Sequence, residues 1–464
     1  MIYEKEILIL KIVILGAGEV GYHIANRLSD ERKEVVVIDK DEQALKRIGD
    51  AVDAQIVKGS GSSPSVLEEA GLEDASLFLA VTDTDQINLV ACLFADFISP
   101  KTKKLARLRD ADYTNYENKL RLETPHIDTI INPDIEAVKT IERMIHVPEA
   151  VDVEEFADGK IKLIGIRMAE SSPLNGIRLI DLPKMSGNNR ILITAVIREE
   201  KLIIPQGNDR LMAGDLIYFV CEQDRLHDAL SMFGKYARTI RNVMVVGGGR
   251  IGFRVANLLE SKSIHTKIIE KDPACCDMLA AQLNRSIVLQ GDGSDQSLLK
   301  EENIQDMDLV ITVTGDEETN ILASLLSKRM GAKQTITRIS KFSYFPLVEA
   351  IGIENIVSPR LSAVNTILQH IRKGNVLSAI SIKGEQAEVM EAVATESSHF
   401  IGKPLYDLSF PKGSLVVGLK RGNDVIIPSG STVIEPNDQI TIFASRNVVA
   451  KIEKILTVKL KFFG

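Results

Sequence analysis

The chain has no tryptophan, and aromatic residues make up only 5% of its 464 residues. Proteins that bind single-stranded nucleic acid stack bases on aromatic side chains, so such platforms are scarce here. An excess of positive charge is also missing, because 56 lysines and arginines stand against 64 acidic residues, for a net charge of −8. This balance argues against a uniformly basic, nucleic-acid-binding protein.

Long apolar runs and metal-type cysteine spacings are absent as well. No stretch approaches the roughly 18 uninterrupted apolar residues that suggest a membrane-spanning helix. The four cysteines are Cys92, Cys221, Cys275 and Cys276. Their spacing fits no metal site, and the sequence begins without a signal peptide. We therefore expect no metal ion, no direct membrane insertion and a reduced, cytoplasmic location.

The sequence does contain a tandem repeat. The segment KIVILGAGEVGYHIANRL (Lys11–Leu28) matches NVMVVGGGRIGFRVANLL (Asn242–Leu259) in the second half of the chain. Further pairs keep nearly the same separation, among them Arg107 with Arg338 and Pro133 with Pro359. A register held over such a long stretch indicates a duplicated unit of about 230 residues, and a repeat of this kind determines the whole fold.

Each repeat changes pattern once along its length. Its first part alternates helices with continuously apolar strands, which is typical of a parallel sheet covered on both faces. Its last part, about 85 residues long, has shorter strands and turn signals. The sequence thus predicts an α/β protein with two tandem Rossmann-like doubly wound parallel-sheet domains, each followed by a small α+β C-subdomain. The predicted ranges are 1–146, 147–238, 239–373 and 374–464.

Both repeats carry a glycine motif between the first predicted strand and helix. The motifs are Gly16-Ala17-Gly18-Glu19-Val20-Gly21 and Gly247-Gly248-Gly249-Arg250-Ile251-Gly252. The first glycine permits the tight turn, the second lets the backbone approach a pyrophosphate, and the third lets helix and strand pack closely. The N–H groups at the start of the helix can then bind the anion. A nucleotide site that has decayed is the alternative.

An acidic residue ends the second strand of each repeat. Asp39 lies 21 residues after Gly18, and Glu270 lies 21 residues after Gly249. This spacing is typical of dinucleotide-binding motifs. A carboxylate at this place accepts hydrogen bonds from ribose hydroxyls and repels a 2′-phosphate. The two sites therefore favour NAD or another nucleotide with an unphosphorylated ribose over NADP.

Three more elements are expected around each glycine motif. They are the small-residue turns with Ser60 and Gly61 or Asp292 and Gly293, the threonines Thr82 and Thr314, and the arginines Arg107 and Arg338. The turns leave room near the adenosine, unless they are ordinary turns. The threonine hydroxyls can reach ribose or phosphate, unless Thr82 and Asp83 simply cap the next helix. The arginines can face a pyrophosphate, unless they form surface salt bridges.

Signs of catalysis are few. No histidine recurs at equivalent places in the two repeats, and the sequence has no HExxH, GxSxG or GxxxxGK[ST] motif. A dehydrogenase needs an acid or base near the nicotinamide and a substrate pocket, so an NAD-dependent oxidoreductase is only an alternative. The segments Pro133–Ile145 and Pro359–Ile371 have helical apolar spacing. They suit packing against a neighbouring domain, with burial in their own unit as the alternative.

Taken together, the motifs resemble those of a known family. They are GAGEVG with Asp39, GSGSSPSVLEEAG (Gly59–Gly71), AVTDTDQINLVAC (Ala80–Cys92) and ARLRD (Ala106–Asp110), and in the second repeat GGGRIG with Glu270, GDGSD (Gly291–Asp295), VTGDEETN (Val313–Asn320) and TRI (Thr337–Ile339). Over about residues 11–460 the chain is similar to the TrkA family, the cytoplasmic regulatory subunits of bacterial Trk potassium uptake systems. Each repeat resembles a regulator-of-potassium-conductance (RCK) domain.

The resemblance implies a function without catalysis. Members of the family bind NAD(H) and the adenine nucleotides ATP and ADP, and assemble as homo-oligomers, either dimers or tetrameric rings. They act at the cytoplasmic face of the inner membrane under a TrkH- or TrkG-type potassium-translocating protein, whose potassium flux they gate. The residues implied to bind the nucleotide are Gly16, Ala17, Gly18, Glu19, Val20, Gly21, Asp39, Ser60, Gly61, Thr82 and Arg107, and in the second repeat Gly247, Gly248, Gly249, Arg250, Ile251, Gly252, Glu270, Asp292, Gly293, Thr314 and Arg338.

Three departures from the family pattern are visible. Residues 1–10 precede the usual start of the family. Ser60 stands where the second repeat has Asp292, so the two sites are expected to differ in nucleotide preference. Glu270 replaces the commoner aspartate and is one methylene longer.

Overall fold

The computed structural model describes residues 10–186, 190–236, 239–371, 376–382, 386–396, 398 and 400–457. These residues form two compact units. The first unit holds the described residues up to Lys139 together with Arg338–Leu347 and Val357–Ile371, and the second unit holds the others. The predicted domain boundaries at 238–239 and 373–374 fall at or within stretches outside the described residues, as do residues 1–9. The four-part division stays a prediction.

The first repeat opens with a six-stranded parallel sheet. Its strands are β1 (Lys11–Leu15), β2 (Glu34–Asp39), β3 (Gln55–Lys58), β4 (Leu77–Ala80), β5 (Lys103–Arg107) and β6 (Thr129–Ile131). They lie in the order β3-β2-β1-β4-β5-β6, and every neighbouring pair is parallel. The helices are α1 (Glu19–Asp30), α2 (Glu42–Ala51), α3 (Pro64–Glu69), α4 (Asp85–Ile98), α5 (Ala111–Thr114), α6 (Glu117–Leu122) and α7 (Pro133–His146). The order is that of a Rossmann fold, with the ligand crevice at the carboxyl ends of β1 and β4.

An antiparallel sheet follows. Its strands are β7 (Asp152–Phe156), β8 (Ile161–Arg167), β9 (Leu192–Arg198), β10 (Lys201–Ile203) and β11 (Leu216–Glu222), in the order β10-β9-β11-β8-β7. Two short helices, α8 (Leu182–Ser186) and α9 (Leu226–Met232), accompany it. The stacked rings of Phe219 on β11 and Phe233 after α9, 4.8 Å apart, belong to the core between sheet and helix.

The second repeat has the same two sheets. Its Rossmann strands are β12 (Asn242–Val246), β13 (His265–Glu270), β14 (Ile287–Gln290), β15 (Leu309–Thr312), β16 (Thr335–Arg338) and β17 (Ile356–Val357), in the order β14-β13-β12-β15-β16-β17. Its helices are α10 (Arg250–Ser261), α11 (Pro273–Gln282), α12 (Gln296–Glu301), α13 (Glu317–Arg329), α14 (Phe345–Ala350) and α15 (Pro359–Ile371). The last sheet comprises β18 (Val376–Ile382), β19 (Ala387–Val393), β20 (Ser414–Arg421), β21 (Asp424–Ile426) and β22 (Gln439–Ser445), followed by α16 (Val449–Thr457). The predicted fold class is confirmed.

Helix α15 packs against the first Rossmann sheet. Val364, Ile367 and Leu368 of α15 are at most 3% exposed and share one apolar cluster with Ile24 and Leu28 of α1. The helix therefore joins the core of the other repeat, although its sequence follows the second sheet. The prediction that Pro359–Ile371 packs against a neighbouring domain is confirmed, and α1 has a covered face because of it.

In the second unit, in the same way, a helix of the first repeat contacts the second repeat. Glu142 on α7, a helix of the first repeat, forms an ion pair of 2.9 Å with Lys262, which directly follows α10 of the second repeat. The two antiparallel sheets also share a core in this unit, where Leu163 and Tyr218 cluster with Val389 and Phe443. Burial of apolar surface between the repeats stabilises their association.

Candidate nucleotide-binding sites

The first glycine loop has the backbone geometry that its sequence predicts. Gly16 has φ +115°, and a Cβ atom there would lie 3.1 Å from the backbone nitrogen of Thr82. A Cβ on Gly21 would lie 1.7 Å from the carbonyl oxygen of Gly16, so the close approach of α1 to β1 needs a residue without a side chain. A Cβ on Gly18 would meet nothing within 4 Å. The space above Gly18 is therefore open to a ligand.

The second loop repeats this geometry. Gly247 has φ +104°, and a Cβ there would lie 2.7 Å from the backbone nitrogen of Thr314. A Cβ on Gly252 would lie 1.8 Å from the carbonyl oxygen of Gly247, whereas one on Gly249 would meet nothing within 4 Å. Each loop thus combines two glycines required by packing with one glycine that faces open space.

The helix that follows each loop begins without a side-chain cap. Gly18 precedes α1 and Gly249 precedes α10, and neither offers a side-chain acceptor to the first N–H groups of its helix. The first N–H groups of a helix lack intrahelical partners and carry a partial positive charge. Both helix starts can therefore donate to an anionic group such as a phosphate.

The two acidic residues hold their glycine loops in place. Asp39 Oδ2 accepts a hydrogen bond of 2.6 Å from the backbone N–H of Ala17, and Glu270 Oε2 accepts one of 2.6 Å from that of Gly248. The second oxygen of Asp39 accepts from the N–H of Asp41 at 2.9 Å. Each carboxylate oxygen has more than one lone pair, so a ribose hydroxyl can still donate to either acid.

The small-residue turns after the third strands are shaped by side-chain hydrogen bonds. Asp292 accepts bonds from the N–H and the hydroxyl of Ser294, and Lys271 adds a charged contact at 3.3 Å. These donors hold the pKa of Asp292 below its ordinary value. In the first repeat the hydroxyl of Ser60 lies 2.8 Å from that of Ser62. The turn of the second repeat therefore carries an ionised carboxylate at Asp292, where the turn of the first repeat has the neutral hydroxyl of Ser60.

The glycines of these turns serve packing as well as space. A Cβ on Gly61 would lie 2.2 Å from Cδ2 of Leu15, and one on Gly293 would lie 2.1 Å from Cγ1 of Val246. Each glycine thus lets the turn sit directly against the end of the first strand of its own sheet.

Thr82 is held by a buried asparagine. Its hydroxyl donates to Oδ1 of Asn88 at 2.7 Å, and the Asn88 amide donates to the carbonyl oxygen of Arg107 at 2.8 Å. Asn320 holds Thr314 in the same way, at 2.9 Å between hydroxyl and Oδ1. Thr84, rather than Thr82 or Asp83, occupies the N-cap position of α4. The helix-cap alternative is therefore wrong, and Thr82 lies where the strand ends meet.

Arg107 is a buried side chain, 3% exposed, and it forms an ion pair with Asp83, whose side chain is 76% exposed, so the salt-bridge alternative stays open beside ligand binding. Its Nη1 donates to the carbonyl oxygen of Val81 at 3.3 Å and to the carboxylate of Asp83 at 3.0 Å. Its buried Nε has no hydrogen-bond partner among the described residues. Arg338, its counterpart, is the last residue of β16 and is half-buried.

A cavity of about 360 Å³ joins these elements in the first unit. Of the residues predicted for the first site, it is lined by Gly16, Gly18, Glu19, Val20, Asp39, Ser60, Gly61, Thr82 and Arg107. Ala17 and Gly21 do not line it, because Ala17 contributes its N–H to Asp39 and Gly21 lies against the loop. The assignment of individual residues to ligand binding stays a prediction, but the structure brings this group together.

The cavity also has lining residues that the sequence did not point to. Asp83 pairs with Arg107, and Arg360 reaches the cavity from α15. One sequence signal could have drawn attention to Arg360, since it aligns with Asp134 in the first repeat and the charge is reversed. Its location could not be read from the sequence, because it depends on which sheet α15 packs against.

The described residues contain no helix that combines the length and the apolar character needed to span a membrane.

Comparison with known proteins identifies the family. The TrkA-N domain pattern matches residues 12–133 and 243–359, and the TrkA-C domain pattern matches residues 163–234 and 389–457. The chain is 37% identical to Trk system potassium uptake protein TrkA homolog 1 of Methanosarcina mazei, over 96% of this chain and 99% of that protein. It is 34% identical to Trk system potassium uptake protein TrkA of Halomonas elongata, over 98% of this chain and 100% of that one.

Solved structures show the same fold at low sequence identity. The GsuK RCK domain is 16% identical, with a TM-score of 0.57 over 97% of this chain and 96% of that one. The GsuK channel bound to NAD is also 16% identical, with a TM-score of 0.58 over 97% of this chain and 80% of that one. Because both domain patterns match twice and the TrkA relatives align over nearly their full length, the chain belongs to the TrkA family of Trk system potassium uptake proteins.

Proposed function

We propose that the protein is a nucleotide-sensing regulatory subunit that gates a Trk-type potassium-translocating membrane protein. NAD(H) is the primary ligand, and ATP and ADP compete for the same two glycine loops. The protein acts as a homo-oligomer at the cytoplasmic face of the inner membrane, beneath a TrkH- or TrkG-type subunit. The observation that carries the proposal is the open space above Gly18 and Gly249 at two uncapped helix starts.

The residues present fit a dinucleotide or adenine nucleotide. Phosphates would lie at the start of α1 or α10, and the carboxylates of Asp39 and Glu270 would accept from the ribose. A solved relative in fold, the GsuK channel, is described as bound to NAD. The Trk naming of the full-length relatives supports potassium uptake as the process that is regulated.

The physical route from ligand to gating begins at α1. A ligand at its first N–H groups contacts a helix that is packed against α15 through Ile24 and Leu28. A ligand shifts a conformational equilibrium only through its difference in affinity between the two states. A tenfold preference at one site supplies about 1.4 kcal/mol, so several sites coupled in an oligomer are needed for a decisive switch.

Calorimetric titration of the full chain with NADH, NAD, ADP and ATP tests the binding part of this proposal. Gly18→Val fills the first site and Gly249→Val fills the second, and neither added side chain meets protein atoms at its Cβ. We expect each single variant to lose one site and the double variant to bind nothing, with melting temperatures close to that of the unmodified chain. Equal binding by the double variant would contradict the proposed sites. NADH oxidation that depends on an added substrate would instead support the oxidoreductase alternative.

A further inference from the structure

Arg360 lines the cavity of the first glycine loop although it belongs to the second repeat. It is the second residue of α15, which reaches this cavity because Val364, Ile367 and Leu368 pack into the cluster around α1. Its side chain is half-buried. The first site therefore includes a cation that its own repeat does not supply.

The carboxylates around the cavity already have partners. Asp39 accepts bonds from the N–H groups of Ala17 and Asp41, Glu19 pairs with Arg47 at 2.9 Å, and Asp83 pairs with Arg107 at 3.0 Å. The last two contacts are ion pairs. The side chain of Arg360, by contrast, has no hydrogen bond or ion pair with any residue that the structure describes. Its guanidinium is thus available to an anion in the cavity.

The position of Arg360 brings no benefit to its helix. Acidic side chains stabilise the first turn of a helix and basic side chains destabilise it, because the macrodipole is positive there. The first repeat follows this rule at the equivalent place, where α7 has Asp134. An arginine in the first turn of α15 opposes the dipole, which indicates that its charge serves something outside the helix.

We propose that Arg360 is a specificity-determining residue of the first site that pairs with a phosphate of the bound nucleotide. This rests on the proposed function, since it requires a nucleotide at the first loop. A guanidinium binds phosphate oxygens through parallel N–H donors, and such charge-assisted bonds are stronger than neutral ones. Among the adenine mononucleotides, the first site therefore prefers those with more phosphate charge, in the order ATP, ADP, AMP. A bound nucleotide would thereby bridge two helices, because its phosphates contact the start of α1 and pair with Arg360 on α15.

The test uses the full chain with Gly249→Val in the second loop, so that only the first site is titrated. Dissociation constants for AMP, ADP, ATP and NADH are measured by calorimetry for this parent, for Arg360→Gln and for Arg360→Lys. We expect Arg360→Gln to weaken ATP and ADP binding by roughly tenfold to a hundredfold, the range for a hydrogen bond to a charged group. AMP should be affected less, and Arg360→Lys should be intermediate. The salt dependence of ATP binding should fall in Arg360→Gln, because one charge contact is lost.

The control is Arg329→Gln, which removes the same charge from an exposed residue at the end of α13. It should leave all four dissociation constants unchanged. Melting curves check folding, and Arg360→Gln should be at least as stable as the parent, since the native arginine opposes the helix dipole. Equal affinities in Arg360→Gln and the parent would overturn this inference and leave the proposed function standing. A parent that binds no nucleotide would overturn this inference, and the proposed function would fail with it only if the unmodified chain bound none either.

Discussion

The backbone N–H of Gly248 donates a hydrogen bond of 2.6 Å to Glu270, and the first repeat makes the same bond, also 2.6 Å, between Ala17 and Asp39. The longer acid, Glu270, pairs with the smaller loop residue, Gly248, whereas the shorter Asp39 pairs with Ala17. A Cβ on Gly248 would lie 3.2 Å from both Cβ and Cγ of Glu270. The two repeats thus make the same loop hydrogen bond with two different pairs of residues, and in the second repeat a side chain at position 248 would meet both Glu270 and Leu279.

We expect Gly248→Ala to be destabilising, and a shorter acid at position 270 to relieve part of the loss. The added methyl would meet Glu270 and, at 2.4 Å, Cδ1 of Leu279, and overpacking of this kind costs about 1–3 kcal/mol. The double variant Gly248→Ala with Glu270→Asp reproduces the pair of the first repeat and should recover part of that loss. Melting temperatures of the single and double variants give the coupling, expected to be about 0.5–3 kcal/mol. Strict additivity would show that Gly248 and Glu270 are independent.

The glycines of the first loop should differ in how much they contribute to thermal stability. Gly21→Ala puts a methyl group 1.7 Å from the carbonyl oxygen of Gly16, so α1 must move away from β1. We expect a clear loss of thermal stability in Gly21→Ala and almost none in Gly18→Ala, whose Cβ meets nothing within 4 Å. Melting curves recorded without nucleotide measure both. Equal losses would mean that the loop does not have the described geometry.

Helix α15 should contribute strongly to the stability of the first unit. Ile367 is fully buried in the cluster with α1, and replacing such a residue by alanine typically costs about 2–5 kcal/mol. Ile367→Ala should therefore lower the melting temperature and speed amide hydrogen exchange in α1. Leu322→Ala on α13 is the matched control, because Leu322 is 48% exposed. An Ile367→Ala variant as stable as this control would contradict the packing of α15 on α1.

Local chemistry made much of the fold and of each loop predictable from sequence. The glycines, the acid after the second strand and the apolar strands are constrained within one βαβ unit, so Gly16, Gly18 and Asp39 could be placed without knowing the tertiary structure. The edge strand β7 is harder to predict from sequence. Its sequence, DVEEF, alternates incompletely, and most of its residues are acidic. Strands of this kind are recognised mainly through their pairing partner.

Features that depend on long-range packing could not be predicted from the sequence. Thr82 and Arg107 were predicted as direct ligand contacts, but neither their shared support from Asn88 nor the Asp83 partner of Arg107 follows from spacing. The location of Arg360 is even harder to predict from sequence, because a helix with apolar residues at helical spacing can cover either sheet. The amphipathic pattern favoured packing of α15 against a neighbouring domain but left burial in its own unit open, and the tertiary structure decided between the two.

Potassium flux under nucleotide control tests the central claim most directly. Proteoliposomes containing a TrkH-type membrane subunit and this protein would be assayed for potassium flux with and without saturating NADH, ADP or ATP. We expect at least one nucleotide to change the flux with the unmodified chain, and none to change it with the double variant Gly18→Val and Gly249→Val, while both proteins bind the membrane subunit. A flux that no nucleotide alters with the unmodified chain, or one that responds equally with the double variant, would contradict the account.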